Sequence, residues 1–108
     1  RDFQEAFQRV DVIATPTVPI PAPKIDQMEI EIAGKRMSAL NAIWRNVFPT
    51  NLTGSPTLCF PCGFTADGLP VGVQIVGRPW DDFGVLQLGH AFEQATGHWR
   101  RAPEPAGR

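Results

Sequence analysis

The sequence lacks any apolar run near the roughly 20 residues that span a bilayer, and no basic-then-apolar leader opens it. It also lacks an excess of either charge, since 10 basic and 11 acidic residues leave a net charge of -1. Such a balance offers no broad attraction to nucleic acid or to an anionic membrane. We therefore expect a cytoplasmic protein with neither nucleic acid nor membrane as a direct partner.

Cysteine is scarce, and the two cysteines lie in LCFPCGF at Cys59 and Cys62. A redox pair with this spacing normally begins a helix, which lowers a thiol pKa, and no helix signal follows here. On a strand, residues three apart point to opposite faces, which disfavours a disulfide. A zinc site would need two more ligands, and His90 and His98 lie outside any finger-like spacing. We interpret both cysteines as buried structural thiols and expect no metal and no cofactor.

At 108 residues the chain can form one domain at most. It begins with Arg1 inside a helical pattern that no N-cap precedes, so we expect a fragment of a longer protein. The apolar run 11–17 predicts a buried strand that ends at Pro16, and alternating prolines then predict a rigid connection. Residues 28–38 alternate and turn at Ala33-Gly34, which predicts an exposed hairpin.

Two further segments have helical spacing. The apolar residues of 38–48 predict a helix that Ser38 caps and Pro49 ends. Residues 81–96 predict a second helix, with two aspartates at its positive N-terminal end. The tail over residues 98–108 shows no pattern, and we expect it to be frayed.

Two strands are predicted between these helices, at residues 56–64 and 69–77. The Asp67-Gly68 pair predicts the turn of an antiparallel hairpin. Both faces of the second strand carry little charge, which indicates a sheet that is covered on both sides. The remaining residues are too few to supply that cover.

No catalytic constellation can be assembled from these residues alone. Ser38 fits a helix cap, and Ser55 lies in TGSP, which lacks the G-x-S-x-G frame of a nucleophile elbow. His90 lies in mid-helix, where packed or partly exposed histidines are more common than general bases. We therefore predict no catalytic residue in this chain.

The stretch NLTGSPTLCFPCGFTADGLPVGVQIVGRPWDD, at residues 51–82, carries a recognisable pattern. It resembles the C-terminal segment of amidase signature family enzymes, with N-x-x-G-x-P, a strand ending in P-C-G, G-L-P-V-G, Q-x-x-G and a helix in order. DVIATPTVPIPAP before it and HAFEQATGHW after it resemble the same family's flanking elements. The resemblance implies an α/β fold, in which residues 1–108 form the C-terminal part of a mixed β-sheet flanked by helices within a single amidase domain.

The resemblance also implies an activity. The family hydrolyses amides, or releases ammonia from glutamine in the A subunit of glutamyl-tRNA(Gln) amidotransferase, with a Ser nucleophile, a bridging cis-Ser and a Lys base. The base must be kept neutral by burial so that it can take a proton through the bridging Ser. Lys24 in the proline linker and Lys35 in the hairpin turn do not suit that role. We expect the three catalytic residues upstream of Arg1 and this chain alone to be inactive.

What the resemblance leaves to this chain is a wall of the pocket that holds a small-molecule amide. We expect substrate contacts from the strand end at Thr15 and Thr17, and from Trp44, Arg45 and Asn51 at the following helix end and loop. In the amidotransferase branch an acidic residue near Trp44-Arg45 is expected to hold the amino group of glutamine. An indole or a guanidinium cannot do so, which favours a general amidase.

Other interpretations stay open. Within the family, the protein could be the A subunit of the amidotransferase, with its partner subunits. In a different class, the chain could be a non-catalytic binding or scaffold module that uses VPIPAP or an open sheet edge. The partners that we expect are the rest of the amidase domain and, in a homodimer, a second copy.

Overall fold

The computed structural model describes residues 2–103 and shows the order of elements that the sequence predicts, with an additional α-helix and a 3-10 helix. The elements are α1 (Asp2–Ala6), β1 (Val12–Pro16), β2 (Glu29–Ile32), β3 (Lys35–Ser38), α2 (Ala39–Trp44), α3 (Phe48–Thr53), β4 (Thr57–Phe64), β5 (Pro70–Gly77), α4 (Asp82–Thr96) and a 3-10 helix (His98–Arg100).

The main sheet has three antiparallel strands in the order β1-β5-β4. β5 is the central strand. Its valines, isoleucine and single glutamine suit this position, because they can pack on both faces of the sheet. The predicted turn between β4 and β5 is confirmed, with Gly68 at φ 83° and its N–H bonded to the carbonyl of Thr65 at 2.9 Å. A positive φ at this position favours glycine. A register shift between Pro61 and Gly63 makes a bulge in β4.

The exposed hairpin is also confirmed, as the separate two-stranded sheet β2-β3. Ala33 and Gly34 form its turn with φ of 50° and 76°. Two positive φ values in succession belong to the tight turns whose twist matches that of paired strands. Ile30 and Met37 face each other across the pair and form its less exposed side.

Helix α4 covers one face of the main sheet. Its Val85 packs with Phe60 of β4 and Ile75 of β5 in the buried core, and Leu58, Val73 and Phe92 surround them. Asp81 caps α4, since its carboxylate accepts from the N–H of Gly84 at 3.0 Å. A charged acceptor at this end also suits the helix dipole.

The opposite face of the sheet carries Gln74 and Val76, each 2% exposed. Residues of α1 and α3 lie over this face, including Phe3 and Thr50. Helices therefore lie on both sides of the sheet, and the α/β class is confirmed. No helix within residues 2–103 is long and apolar enough to cross a membrane.

The structure differs from the prediction around Pro49. The expected helix over 38–48 ends at Trp44, and Pro49 stands in the first turn of a new helix, α3. Proline suits that position because the first N–H groups of a helix have no intrahelical partner. Ser38 does precede α2, but its side chain makes no capping hydrogen bond.

The expected frayed tail also begins differently. His98–Arg100 form a 3-10 helix, in which the His98 ring lies 5.9 Å from that of Phe64. The guanidinium of Arg101 lies 4.2 Å above the same Phe64 ring, a distance at which a cation and an aromatic face attract. Residues 104–108 lie outside the described part of the chain.

The cysteines are free thiols, as expected, but the prediction that both are buried is wrong. Cys59 is exposed and Cys62 is only partly buried. The physical reason is alternation on β4, where the neighbours Leu58 and Phe60 take the side that faces α4 and turn Cys59 outwards.

Candidate functional site

The candidate site lies where the end of β1, the middle of β5 and the α2–α3 connection meet. A cavity of about 140 Å³ opens there, lined mainly by apolar atoms. Its polar lining residues are Thr15, Arg45, Asn46, Thr50 and Gln74.

Gln74 joins the two chain segments that form this cavity. Its Nε2 donates to Oγ1 of Thr15 on β1 and to the carbonyl of Asn46 in the α2–α3 connection, each at 2.9 Å. The Nδ2 of Asn46 in turn donates to the carbonyl of Pro16 at the end of β1, also at 2.9 Å. We call these three hydrogen bonds the Gln74 bracket. Because Thr15 pairs with Gln74 in the ladder, their side chains stand on the same face of the sheet.

Two buried polar atoms at this face have no hydrogen-bond partner among residues 2–103, namely Gln74 Oε1 and Thr17 Oγ1. Thr17 continues the pairing of β1, with its N–H bonded to the carbonyl of Gly72 at 3.0 Å. A Cβ on Gly72 would lie 2.9 Å from Thr17 Oγ1. Glycine at this position therefore makes room for the threonine side chain.

A second depression, of about 190 Å³, lies on the outer side of the α2–α3 connection. Trp44, Val47, Phe48 and Asn51 line it. The rings of Trp44 and Phe48 meet edge to face with centroids 5.8 Å apart, an arrangement that aromatic quadrupoles favour. Both rings are about half exposed, so they offer an aromatic surface to a group from outside.

The five residues expected to contact substrate thus divide into separate groups. Thr15 and Arg45 line the first cavity, and Trp44 and Asn51 line the second depression. Thr17 lines neither of them and packs over Gly72.

The side chains with catalytic potential lie away from both cavities. Lys24, Lys35 and His90 are exposed in the linker, the hairpin and α4. Ser55 is buried, but its Oγ pairs with the hydroxyl of Thr53 at 3.0 Å. Across residues 2–103, no group of three His, Cys, Asp or Glu side chains is placed to hold a metal ion. The arrangement can bind and orient a ligand, and the residues described hold no nucleophile with an adjacent base.

Sequence reasoning did not select Gln74 or Asn46 as site residues. The signal for Gln74 was the one polar side chain within the apolar strand VGVQIVG, which needs a partner when it is buried. Asn46 gave no comparable signal, because its bond to Pro16 joins residues 30 positions apart.

Comparison with known proteins gives a consistent picture. A family model described as Amidase matches residues 1–86. The A subunit of glutamyl-tRNA(Gln) amidotransferase from Thermodesulfovibrio yellowstonii is 45% identical over 88% of this chain and 19% of its own length. The protein of the same name from Methanosarcina barkeri is 44% identical over 98% of this chain and 21% of its own.

Solved structures agree with these relatives. An amidase crystal structure superposes with a TM-score of 0.80 at 34% identity, covering 87% of this chain and 21% of that one. The structure of a bacterial aryl acylamidase of the amidase signature family superposes with a TM-score of 0.73 at 29% identity, covering 91% of this chain and 21% of that one. This chain therefore spans about a fifth of the length of the proteins that it matches.

Proposed function

Because this chain belongs to the amidase signature family, we propose that the protein containing it hydrolyses the C–N bond of a carboxamide. The observation that carries this proposal is the family match over residues 1–86, which extends through every strand described above. The proposed contribution of this chain is one wall of the substrate pocket, as the C-terminal segment of a single amidase domain. A protein of this kind would work in the cytoplasm.

The proposed chemistry divides between this chain and the rest of the domain. A Ser nucleophile, a bridging cis-Ser and a Lys base outside this chain would form and hydrolyse the acyl-enzyme. Such a base must lose its proton near neutral pH, which needs burial, and Lys24 and Lys35 are exposed. Residues 2–103 bind and orient the substrate and keep water from its far side.

Two side chains of the first cavity are suited to that role. Arg45 is exposed at the cavity and makes no ion pair within the described residues, so its guanidinium is available to a carbonyl or carboxylate oxygen. The Thr15 hydroxyl is held in place by Gln74 and keeps only weak contact with the carbonyl of Pro16, at 3.3 Å.

The test is ammonia release from small primary carboxamides by the full-length gene product. We expect Arg45→Ala and Thr15→Val to raise KM by roughly tenfold each, which is about the effect of one lost hydrogen bond. His90→Ala is the control, because His90 is exposed on α4 across the sheet. The proposal would be refuted if the in-frame coding sequence upstream of Arg1 lacked a Lys and a Gly/Ser-rich run with two serines. Absence of hydrolysis would refute it as well.

A second candidate is the A subunit of an amidotransferase. The observation in its favour is identity, since the relatives of that name are 42–45% identical whereas the amidase structures above are 29–34% identical. Against it stands Trp44-Arg45, where a carboxylate would be needed to hold the α-ammonium of glutamine. Glutamine hydrolysis far above that of simple carboxamides, with co-purifying partner subunits, would favour this candidate.

The large apolar side chains at the surface support a further proposed partner, the rest of the amidase domain. Trp80 is 94% exposed, Ile25 93% and Phe83 77%. Large apolar side chains that are this exposed are suited to an interface with another part of the protein. A homodimer is a separate proposal, which sedimentation of the full-length protein at several concentrations would test.

A further inference from the structure

Gln74 is the largest polar side chain that the described structure buries, and it lies on the central strand of the sheet. It is 2% exposed and precedes Ile75 and Val76, which are also buried. An amide in such a position destabilises the fold unless its hydrogen bonds are made. An apolar residue would fit the strand pattern better, so the glutamine must contribute something that packing does not.

The orientation of the Gln74 amide follows from its partners. The backbone carbonyl of Asn46 can only accept, so the nitrogen of Gln74 has to face it. The other proton of the same nitrogen goes to Thr15 Oγ1. Both protons of one buried amide are therefore used, one on β1 and one on the α2–α3 connection.

The α2–α3 connection needs such a tie. Both helices have six residues, a length that is not stable without tertiary contacts. Arg45 in the connection is exposed and packs little. Its neighbour Asn46 takes part in two bonds of the Gln74 bracket, one to β5 and one to Pro16 on β1.

We propose that Gln74 is a positioning residue, which holds Arg45 and Thr15 at a fixed separation across the first cavity and thereby sets the affinity for substrate. This inference rests on the proposed function. Although Gln74 lines the cavity, it offers substrate no accessible polar atom, because both protons of its nitrogen are used and its oxygen is buried. It acts through the two segments that it joins.

The kinetic test uses Gln74→Met in the full-length gene product. Methionine has a similar shape and fills the same space, but it donates no hydrogen bond. We expect KM to rise about tenfold while kcat changes less than about twofold. Val85→Ala is the matched control, since it opens the core on the α4 side, and we expect a lower unfolding temperature with unchanged KM.

A second measurement does not depend on activity. Trypsin cleaves after arginine, and the Arg45-Asn46 bond lies within the connection that Gln74 holds. We expect Gln74→Met to accelerate cleavage at this bond about tenfold, as fits a locally weakened segment, and Val85→Ala to leave the rate unchanged. If Gln74→Met does not fold, Asn46→Ala removes only the outer bond of the bracket and should accelerate the same cleavage about threefold.

The outcomes separate the two proposals. No ammonia release by the wild-type enzyme refutes the proposed function and with it the effect on substrate affinity, whereas the Arg45 cleavage rates still decide whether Gln74 holds the α2–α3 connection. An active wild type with unchanged KM in Gln74→Met, or with a loss confined to kcat, overturns the positioning role. Unchanged cleavage at Arg45 in both Gln74→Met and Asn46→Ala overturns it as well.

Discussion

Gly89 lies where α4 approaches the sheet most closely, and its replacement tests how tightly these layers pack. A Cβ on Gly89 would overlap the Leu58 side chain and lie 3.7 Å from Cδ1 of Phe60. In an open helix, Gly→Ala stabilises by about 1 kcal/mol. Overpacking a close contact costs about 1–3 kcal/mol. We therefore expect Gly89→Ala to lower the free energy of unfolding by about 1 kcal/mol, because the cost of overpacking exceeds the gain in helix propensity.

The assay is urea unfolding of the full-length protein with and without Leu58→Ala. Leu58→Ala alone should destabilise, because it removes a contact of the buried core. In that background the overlap is absent, so Gly89→Ala should stabilise by about 1 kcal/mol through helix propensity. Stabilisation by Gly89→Ala with Leu58 in place would refute the close packing of α4 on β4.

Three further predictions concern single sites. Asp81→Ala should lower the free energy of unfolding by about 1 kcal/mol through loss of the cap on α4, as measured by urea unfolding. Gly72→Ala should displace Thr17 and destabilise by about 1–2 kcal/mol, and adding Thr17→Ala should recover most of that loss. Iodoacetamide should label Cys59 faster than Cys62 without any reductant, as read by mass spectrometry of the peptides.

Each of these has a control. Asp82→Ala should change stability by no more than about 0.5 kcal/mol, since Asp82 contributes only its charge near the helix end. An equal loss in the two aspartate variants would contradict the cap. Failure of Thr17→Ala to recover stability in the Gly72→Ala protein would contradict a clash with Thr17. Labelling of Cys59 only after reduction would indicate a disulfide and contradict a free thiol.

Most of the fold could be predicted because its signals are local. The β4–β5 hairpin followed from the Asp67-Gly68 turn and the flanking apolar runs, and α4 followed from its spacing and its aspartates. The role of Pro49 could not be predicted, since proline both ends one helix and begins the next. Only the tertiary path of the chain decides between those roles.

The candidate site was predicted less completely. Family resemblance led to Thr15 and Arg45, which line one cavity, but periodicity could not show that Gln74 joins Thr15 to Asn46, the neighbour of Arg45. The bracket depends on residues 28 to 59 positions apart in sequence. The prediction for Cys59 failed for a related reason, since an apolar run does not reveal which side of a strand faces solvent.

The most direct test of the proposed division of labour compares ammonia release from a primary carboxamide by the full-length gene product and by the 108-residue chain alone. We expect steady hydrolysis by the full-length protein, with KM raised by Arg45→Ala, and none by the chain alone. Hydrolysis by the chain alone would contradict the proposal that this chain forms a pocket wall that binds substrate and supplies no catalytic residue. Absence of hydrolysis by both would contradict the amidase function itself.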